Sequence, residues 1–400
     1  MYNTFEFVGK IVPIKKSDKF KPYEEKTFDS GWVNKQFKFN MVCGCNRHML
    51  EIQGGSWNGK NGKEDYVYTF SKATVDESGN KVKGKNIQIS FADRLKQDEV
   101  NKVAEFRKFI VDLEQPNRRY NLEKAIDKFK EGTITTEQME TLDCNSIEEC
   151  EKALAESQKK RKEFISPWDF AEYMNKVTNS EKIKNKIFKV TGNYEITYSE
   201  KNGQFYRHFI PSRIYLADDN AEQISQASLG LFFNRNAIDD NDFANTSKYH
   251  VNAFIRQYDN SYKKDIACPI TVTIDSNMDV KKAQGFKKKF TFPETDATWR
   301  EIGVTVTILD GAQKVEITED MLTDEQKENI EYGFVTIEDI AKEIGGSIYG
   351  DRVQDTVIDG LARGYSKGSQ DTAYEDNDFG TPTKDTSEED IFTDDDDLDI

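Results

Sequence analysis

The chain has 400 residues and a formal net charge of −16, with 36% hydrophobic and 12% aromatic residues and five cysteines. No run approaches the roughly 18 apolar residues of a membrane span, and the opening Met1-Tyr2-Asn3-Thr4-Phe5-Glu6 lacks the basic and apolar regions of a secretory signal. An odd number of irregularly spaced cysteines argues against a disulfide framework and for reduced thiols in the cytoplasm.

The length allows two domains and a tail, and the 26 Phe and 17 Tyr supply core volume. Alternation of Phe5, Phe7, Gly9 and Ile11 with Glu6 and Lys10 predicts a first strand over 4–14, its glycine marking a sharp bend. Strands are expected at 36–42, 49–53, 66–71 and 86–91, with glycine-rich hairpin loops at 54–62 and 78–84. Short strands at near-regular spacing predict a small barrel or sandwich over residues 1–96. From 97 to 186 the spacing turns helical: Val100, Val103, Phe106, Ile110 and Leu113 form one stripe, and Leu122, Ile126 and Phe129 another. Thr135-Thr136-Glu137-Gln138 and Ser146-Ile147-Glu148-Glu149 read as capped helix starts, so this stretch is a helical insertion or linker. Residues 187–350 are expected to form a second β-rich domain. Its hairpin, 187–198 and 204–216, turns at Lys201-Asn202-Gly203. Strands at 251–257, 270–274, 286–292 and 304–309 and helices at 318–333 and 336–345 follow. Residues 351–400 are expected to be flexible. From Asp371 onward 13 of 30 residues are acidic and only Lys384 is basic, a composition that cannot bury apolar surface. The expected fold class is mainly β with a helical insertion (α+β), one or two small barrels and a disordered acidic tail.

Gly54-Gly55-Ser56-Trp57-Asn58-Gly59-Lys60-Asn61 matches most of a phosphate-binding loop. Asn61, however, replaces the magnesium-holding hydroxyl, and a strand follows where a helix is needed, so a hairpin tip is expected. Cys43, Cys45 and His48 offer three zinc ligands with no second pair at a matching distance, which favours buried thiols and leaves a metal open. His48, His208 and His250 are isolated, and neither a nucleophile elbow nor a spaced acid–base pair occurs. Catalysis is therefore not expected, and no cofactor or metal is assigned.

Aromatic and basic residues interleave on the strands. The candidates for holding single-stranded nucleic acid are Lys15, Lys16, Trp32, Arg47, Trp57, Lys60, Lys63, Tyr66, Tyr68, Tyr198, Tyr206, Arg207, Arg213 and Tyr215. Rings stack on bases whatever the sequence, while cations track phosphates. Alternating strand aromatics are more often core, and Phe5, Phe7, Phe37, Phe39 and Phe70 are read that way. The chain ends Asp394-Asp395-Asp396-Asp397-Leu398-Asp399-Ile400, with Phe379, Ile391 and Phe392 as further apolar anchors among carboxylates. This resembles the acidic C-terminal tip of bacterial and phage single-stranded DNA-binding proteins, although that tip usually ends Ile-Pro-Phe. With the strand pattern, the chain resembles OB-fold single-stranded DNA-binding proteins, of phage origin. The resemblance implies one or two OB-like barrels and sequence-tolerant binding of single-stranded DNA during replication, recombination or repair in the host cytoplasm. It also implies that Asp394 to Ile400 dock replication or recombination proteins. The alternative is a viral structural or assembly protein whose β domains make protein contacts.

Overall fold

The computed structural model describes residues 3–57, 64–75, 79–259, 261–277, 279–314, 322–337, 339–340, 349–380 and 382. The chain opens with β1 (Thr4–Pro13), β2 (Tyr23–Thr27), β3 (Val33–Cys43) and β4 (Asn46–Ser56), followed by the short strands β5 (Tyr66–Phe70), β6 (Thr74–Val75), β7 (Lys81–Val82) and β8 (Asn86–Ser90). Next come α1 (Gln97–Lys102), β9 (Phe109–Asp112), α2 (Arg118–Glu131), α3 (Thr136–Leu142), α4 (Ile147–Lys159), β10 (Arg161–Phe164) and α5 (Pro167–Thr178). The long hairpin β11 (Ile187–Ser199) and β12 (Gln204–Leu216) precedes β13 (Ile224–Phe233), β14 (Ile238–Asp239), α6 (Phe243–Thr246), β15 (Lys248–Asp259) and β16 (Lys264–Asp275). The last elements are α7 (Val280–Phe290), β17 (Arg300–Lys314), α8 (Asp324–Glu331), β18 (Tyr349–Leu361) and β19 (Gln370–Asp371).

The fold is mainly β, built on one large sheet whose pairings close into two circuits. In the first, β1 pairs with β3, β3 with β4, β4 with β12 in parallel at Leu50 and Phe209, β12 with β11, and β11 with β1. In the second, β13 pairs with β15, β15 with β16, β16 with β18 in parallel at Thr273 and Val357, β18 with β17, and β17 with β13. Both circuits run first, second, third, fifth, fourth, with the third and fifth strands parallel. Antiparallel pairing of β1 with β13 joins them side by side.

The alternation that makes β3 a strand also builds the core: Val33, Phe37, Phe39, Met41 and Cys43 point inward every second residue. Gly9 marks the bend expected of it. There β1 changes neighbour from β13 to β3, and a Cβ at Gly9 would lie 2.1 Å from the Val42 carbonyl oxygen. A core-packed helix lies between the third and fourth strands of each circuit. α5, capped by Ser166 with Pro167 at its start, buries Phe170, Ala171 and Met174; α7 buries Ala283, Phe286 and Phe290 in the same core.

Several expectations are corrected by these pairings. Residues 187–216 do not open the second circuit but complete the first, seven residues of β1 lying beside β11. Val100 to Leu113 is not one helical stripe. α1 ends at Lys102, Phe106 is 63% exposed, and the β-branched Ile110 and Val111 lie in β9. Residues 286–290, expected as strand, are helical, because Ala283, Phe286 and Phe290 recur at helical spacing. Residues 351–361, expected to be flexible, belong to β18 and bury Val357 and Ile358. The local signals around the helical insertion hold: Thr135 and Gln138 form a reciprocal capping box, and Ser146 accepts from the Glu149 amide at 3.2 Å. Of the helices expected at 318–333 and 336–345, residues 318–321, 338 and 341–345 lie outside the described residues.

Candidate nucleic-acid interface

The hairpin of β3 and β4 brings its two ends together, pairing Val33 with Ser56. Trp32 and Trp57, one residue beyond each end, therefore meet edge to face with ring centroids 5.1 Å apart. The glycines between them have structural work. A Cβ on Gly55 would fall 1.9 Å from the Trp32 ring, and one on Gly54 would fall 2.5 Å from the Trp168 backbone nitrogen of α5. Two glycines of the near-match to a phosphate loop, Gly54 and Gly55, thus answer to packing, the rest of it from Asn58 lies outside the described residues, and the next described element is the strand β5. The Trp57 amide donates to Asp65 Oδ2 at 2.9 Å, which ties this corner to β5. Tyr66 and Tyr68 stand there with ring centroids 6.4 Å apart, and Tyr68 is 73% exposed. The Glu64 carboxylate, hydrogen-bonded to Tyr66, raises that phenol above its ordinary pKa. Two of the nominated rings, Trp32 and Trp57, thus meet at one end of the first circuit, and two more, Tyr66 and Tyr68, stand on the separate β5–β8 hairpin that the Trp57–Asp65 hydrogen bond ties to it.

Cations are spread over the same circuit. Lys15 and Lys16 are exposed on the loop between β1 and β2, which folds back on β3 where the Lys38 amide donates to the Pro22 carbonyl at 2.7 Å. Lys26 lies 4.5 Å over the Phe28 ring, and the Phe28 amide donates to the Trp32 carbonyl. Arg47 is exposed at the opposite end of β4. Between the two ends, Glu51 organises the face. Its carboxylate is 3.4 Å from Lys38 Nζ and 3.6 Å from His208 Nδ1, and it accepts from Gln36. Burial alone would raise the Glu51 carboxyl, but the His208 hydrogen bond and the nearby Lys38 charge hold it below the usual carboxylate range. Tyr206, 40% exposed, accepts from Asn202 at 2.8 Å beside the β11–β12 turn.

Other nominated residues are engaged elsewhere. Tyr198 packs on Phe205 at 4.8 Å against the core. Arg207 faces Asp310 of β17 at 3.6 Å, across the junction of the circuits. Arg213 donates to the Glu105 carbonyl at 3.1 Å, and Tyr215 lines a cavity of about 640 Å³ with Asp112, Glu114 and Lys189. Lys60, Lys63 and Asp394 to Ile400 lie outside the described residues. Burial pushes the Cys43 thiol up to about 12. His48 stacks on Phe7 at 4.3 Å and bonds Ser225 Oγ at 2.6 Å. Among the described residues no three metal-binding groups gather.

The second circuit holds an aromatic and basic group that the sequence reading passed over: Phe254, Arg256 and Tyr258 on β15 and Trp299 just before β17. The signal was the same alternation of rings with cations used for the first half of the chain, continued past residue 215. Phe379, read as a tail anchor, is buried against this group at 7% exposure.

No family model and no curated protein matches this sequence. Among solved structures, the chain is similar to a deletion mutant of the single-stranded DNA-binding protein from Thermus aquaticus. The identity is 9% and the TM-score 0.29, with 77% of this chain and 86% of that chain covered.

Proposed function

We propose that the chain binds single-stranded DNA with little sequence preference and without catalysis, using two OB-like barrels. The observation that carries this reading is the edge-to-face pair of Trp32 and Trp57 at the end of the second and third strands of a closed five-strand circuit, with Tyr66 and Tyr68 on the adjoining β5. In a five-stranded OB barrel that face and the adjoining loops take oligonucleotides. The first barrel comprises residues 4–56 with 187–216, the segment 57–186 being inserted between its third and fourth strands; the second comprises 224–361. Bases stack on the corner while Lys15, Lys16, Lys26 and Arg47 follow the phosphates. The acidic residues from Asp394 to Asp399, with Leu398 and Ile400, recruit replication or recombination proteins. Phage origin and a cytoplasmic setting belong to the same reading.

A fluorescence titration with oligo-dT at two salt concentrations tests it. Stacking on Trp32 and Trp57 should quench their emission, and affinity should fall steeply with salt, because each neutralised phosphate releases counterions. Absence of binding at low salt would overturn the reading and favour an assembly protein whose β units contact other proteins.

A further inference from the structure

On the second circuit, the outward faces of β15 and β16 present Phe254, Arg256 and Tyr258 opposite Pro269, Ala267 and Asp265. These are its second and third strands, the counterparts of β3 and β4 in the first circuit. Trp299 flanks them, and the chain returns from β18 to lie across this face. β19 pairs with the start of β17, and Thr372 donates to the Trp299 carbonyl. The Phe379 ring then lies flat on Trp299, with centroids 3.7 Å apart and planes 17° from parallel, and also touches Phe254 at 5.4 Å. Asp378, the residue before it, sets a carboxylate 4.0 Å from Arg256 Nη1. The Arg256 guanidinium also covers the Tyr374 ring at 4.1 Å. The Arg256 Nε and Nη1 donors are buried without a hydrogen-bond acceptor. Asp265, opposite on β16, is also 4.0 Å from Arg256 Nη2, so two carboxylates stand at the edge of ion-pair range; an arginine in that state suits a ligand that brings acceptor oxygens closer, and buried unmet donors are costly.

A flat ring stacked on a tryptophan, with an anionic group next to it over an arginine, reproduces the chemistry of one nucleotide: base on Trp299, phosphate on Arg256. From this we infer that the outward face of β15 and β16, with Phe254, Arg256 and Trp299, is a second binding site for single-stranded DNA, which the segment Tyr374 to Phe379 occupies when DNA is absent. The inference rests on the proposed function and extends it to the second unit. It also separates residues 374–379 from the acidic terminus beyond: the former fill the site in ordered contact, whatever the latter docks.

Two measurements on the full chain test it. In the unsubstituted protein, amide hydrogen exchange across residues 370–380 should rise when a long oligo-dT saturates the protein, since DNA displaces the segment; unchanged protection with DNA bound would overturn the site. Second, Phe379→Ala with Asp378→Asn should bind a long oligo-dT at least about fivefold tighter, the low end of one stacked base. An oligonucleotide short enough to fill one barrel on the first corner should show less gain. Adding Trp299→Ala should cancel the gain. If Phe379→Ala weakens folding, Asp378→Asn alone, which removes a half-exposed carboxylate, should still show part of it. Binding by the unsubstituted protein with no gain in any variant would refute the second site and leave the first standing. No binding by any form, at low salt, would refute both.

Discussion

Acid should loosen the junction of the two circuits through His48. This side chain is 1% exposed, stacked on Phe7 and 5.5 Å from Phe209. The Ser225 hydroxyl donates to the Ile308 carbonyl at 2.7 Å, so its oxygen must accept from His48 Nε2–H. The neutral tautomer then carries its lone pair on Nδ1, which is buried with no partner. Protonation would place a new donor, and a charge, where nothing accepts it. Burial, with the positive Arg207 nearby, accordingly lowers the His48 pKa from 6.5 to about 4. A histidine with a depressed folded pKa contributes stability that is present above its unfolded value. That contribution is lost progressively as pH falls from about 6.5 toward the folded value near 4. At 1.36 kcal/mol per pKa unit the full swing is on the order of 3 kcal/mol. Urea unfolding at pH 7.5 and pH 4.5 should show the protein losing about 2 to 3 kcal/mol more than the variant His48→Gln, which keeps an N–H for Ser225 and has nothing to titrate. Carboxylates titrate in both proteins, so the difference isolates His48. Equal losses would refute the tautomer argument.

Truncating Trp57→Ala or Trp32→Ala should weaken oligo-dT binding by about 1 to 3 kcal/mol each in a fluorescence-anisotropy titration. Tyr198→Phe, at a ring packed against the core, should leave binding unchanged; the reverse pattern would move the interface. Deleting residues 383–400, which carry nine carboxylates and one lysine, should tighten DNA binding at low salt. The gain should fade as salt screens exposed charge beyond about 8 Å, and equal affinity at low salt would remove the electrostatic competition. Deleting only Leu398 to Ile400 should abolish capture of a replication or recombination partner while DNA affinity barely changes. ATP with magnesium should not raise the melting temperature. A ligand at 100 times its Kd adds about 2.7 kcal/mol, so a clear rise would restore nucleotide binding at Gly54 to Lys60.

What could be read from the sequence was what neighbours in the chain decide. The capping box at Thr135, the turn at Lys201 to Gly203 and the inward alternation of β3 each depend on a few adjacent residues. Even the meeting of Trp32 with Trp57 was within reach, because two eleven-residue strands either side of Gly44 and Cys45 must pair end with end. The closure of the circuits was not. Phe7 lies opposite Val190, and Leu50 meets Phe209 through a single parallel bridge, after the whole segment 57–186 has intervened. Nothing in Ile187 to Leu216 distinguishes a hairpin that begins a circuit from one that completes an earlier one.

Residues 351–380 depart from the expected flexible region for a different reason, while 383–400 lie outside the described residues. Charge was counted over thirty residues, and a block of 13 carboxylates with one lysine describes a solvated arm. Burial is decided ring by ring. Phe379 sits among Asp376, Asp378 and Gly380, yet its ring covers Trp299, and Asp376 accepts from the Trp299 indole at 2.9 Å. The carboxylates beside it therefore do not oppose burial, because they stay at the rim and pair with Trp299 and Arg256 while the ring enters. On the inference drawn above, an apolar group flanked by anions, one of them beside an arginine, stands where a base and its phosphate would sit. A composition that reads as a solvated arm when averaged over thirty residues thus includes one ring, Phe379, that packs, and one carboxylate, Asp378, beside Arg256.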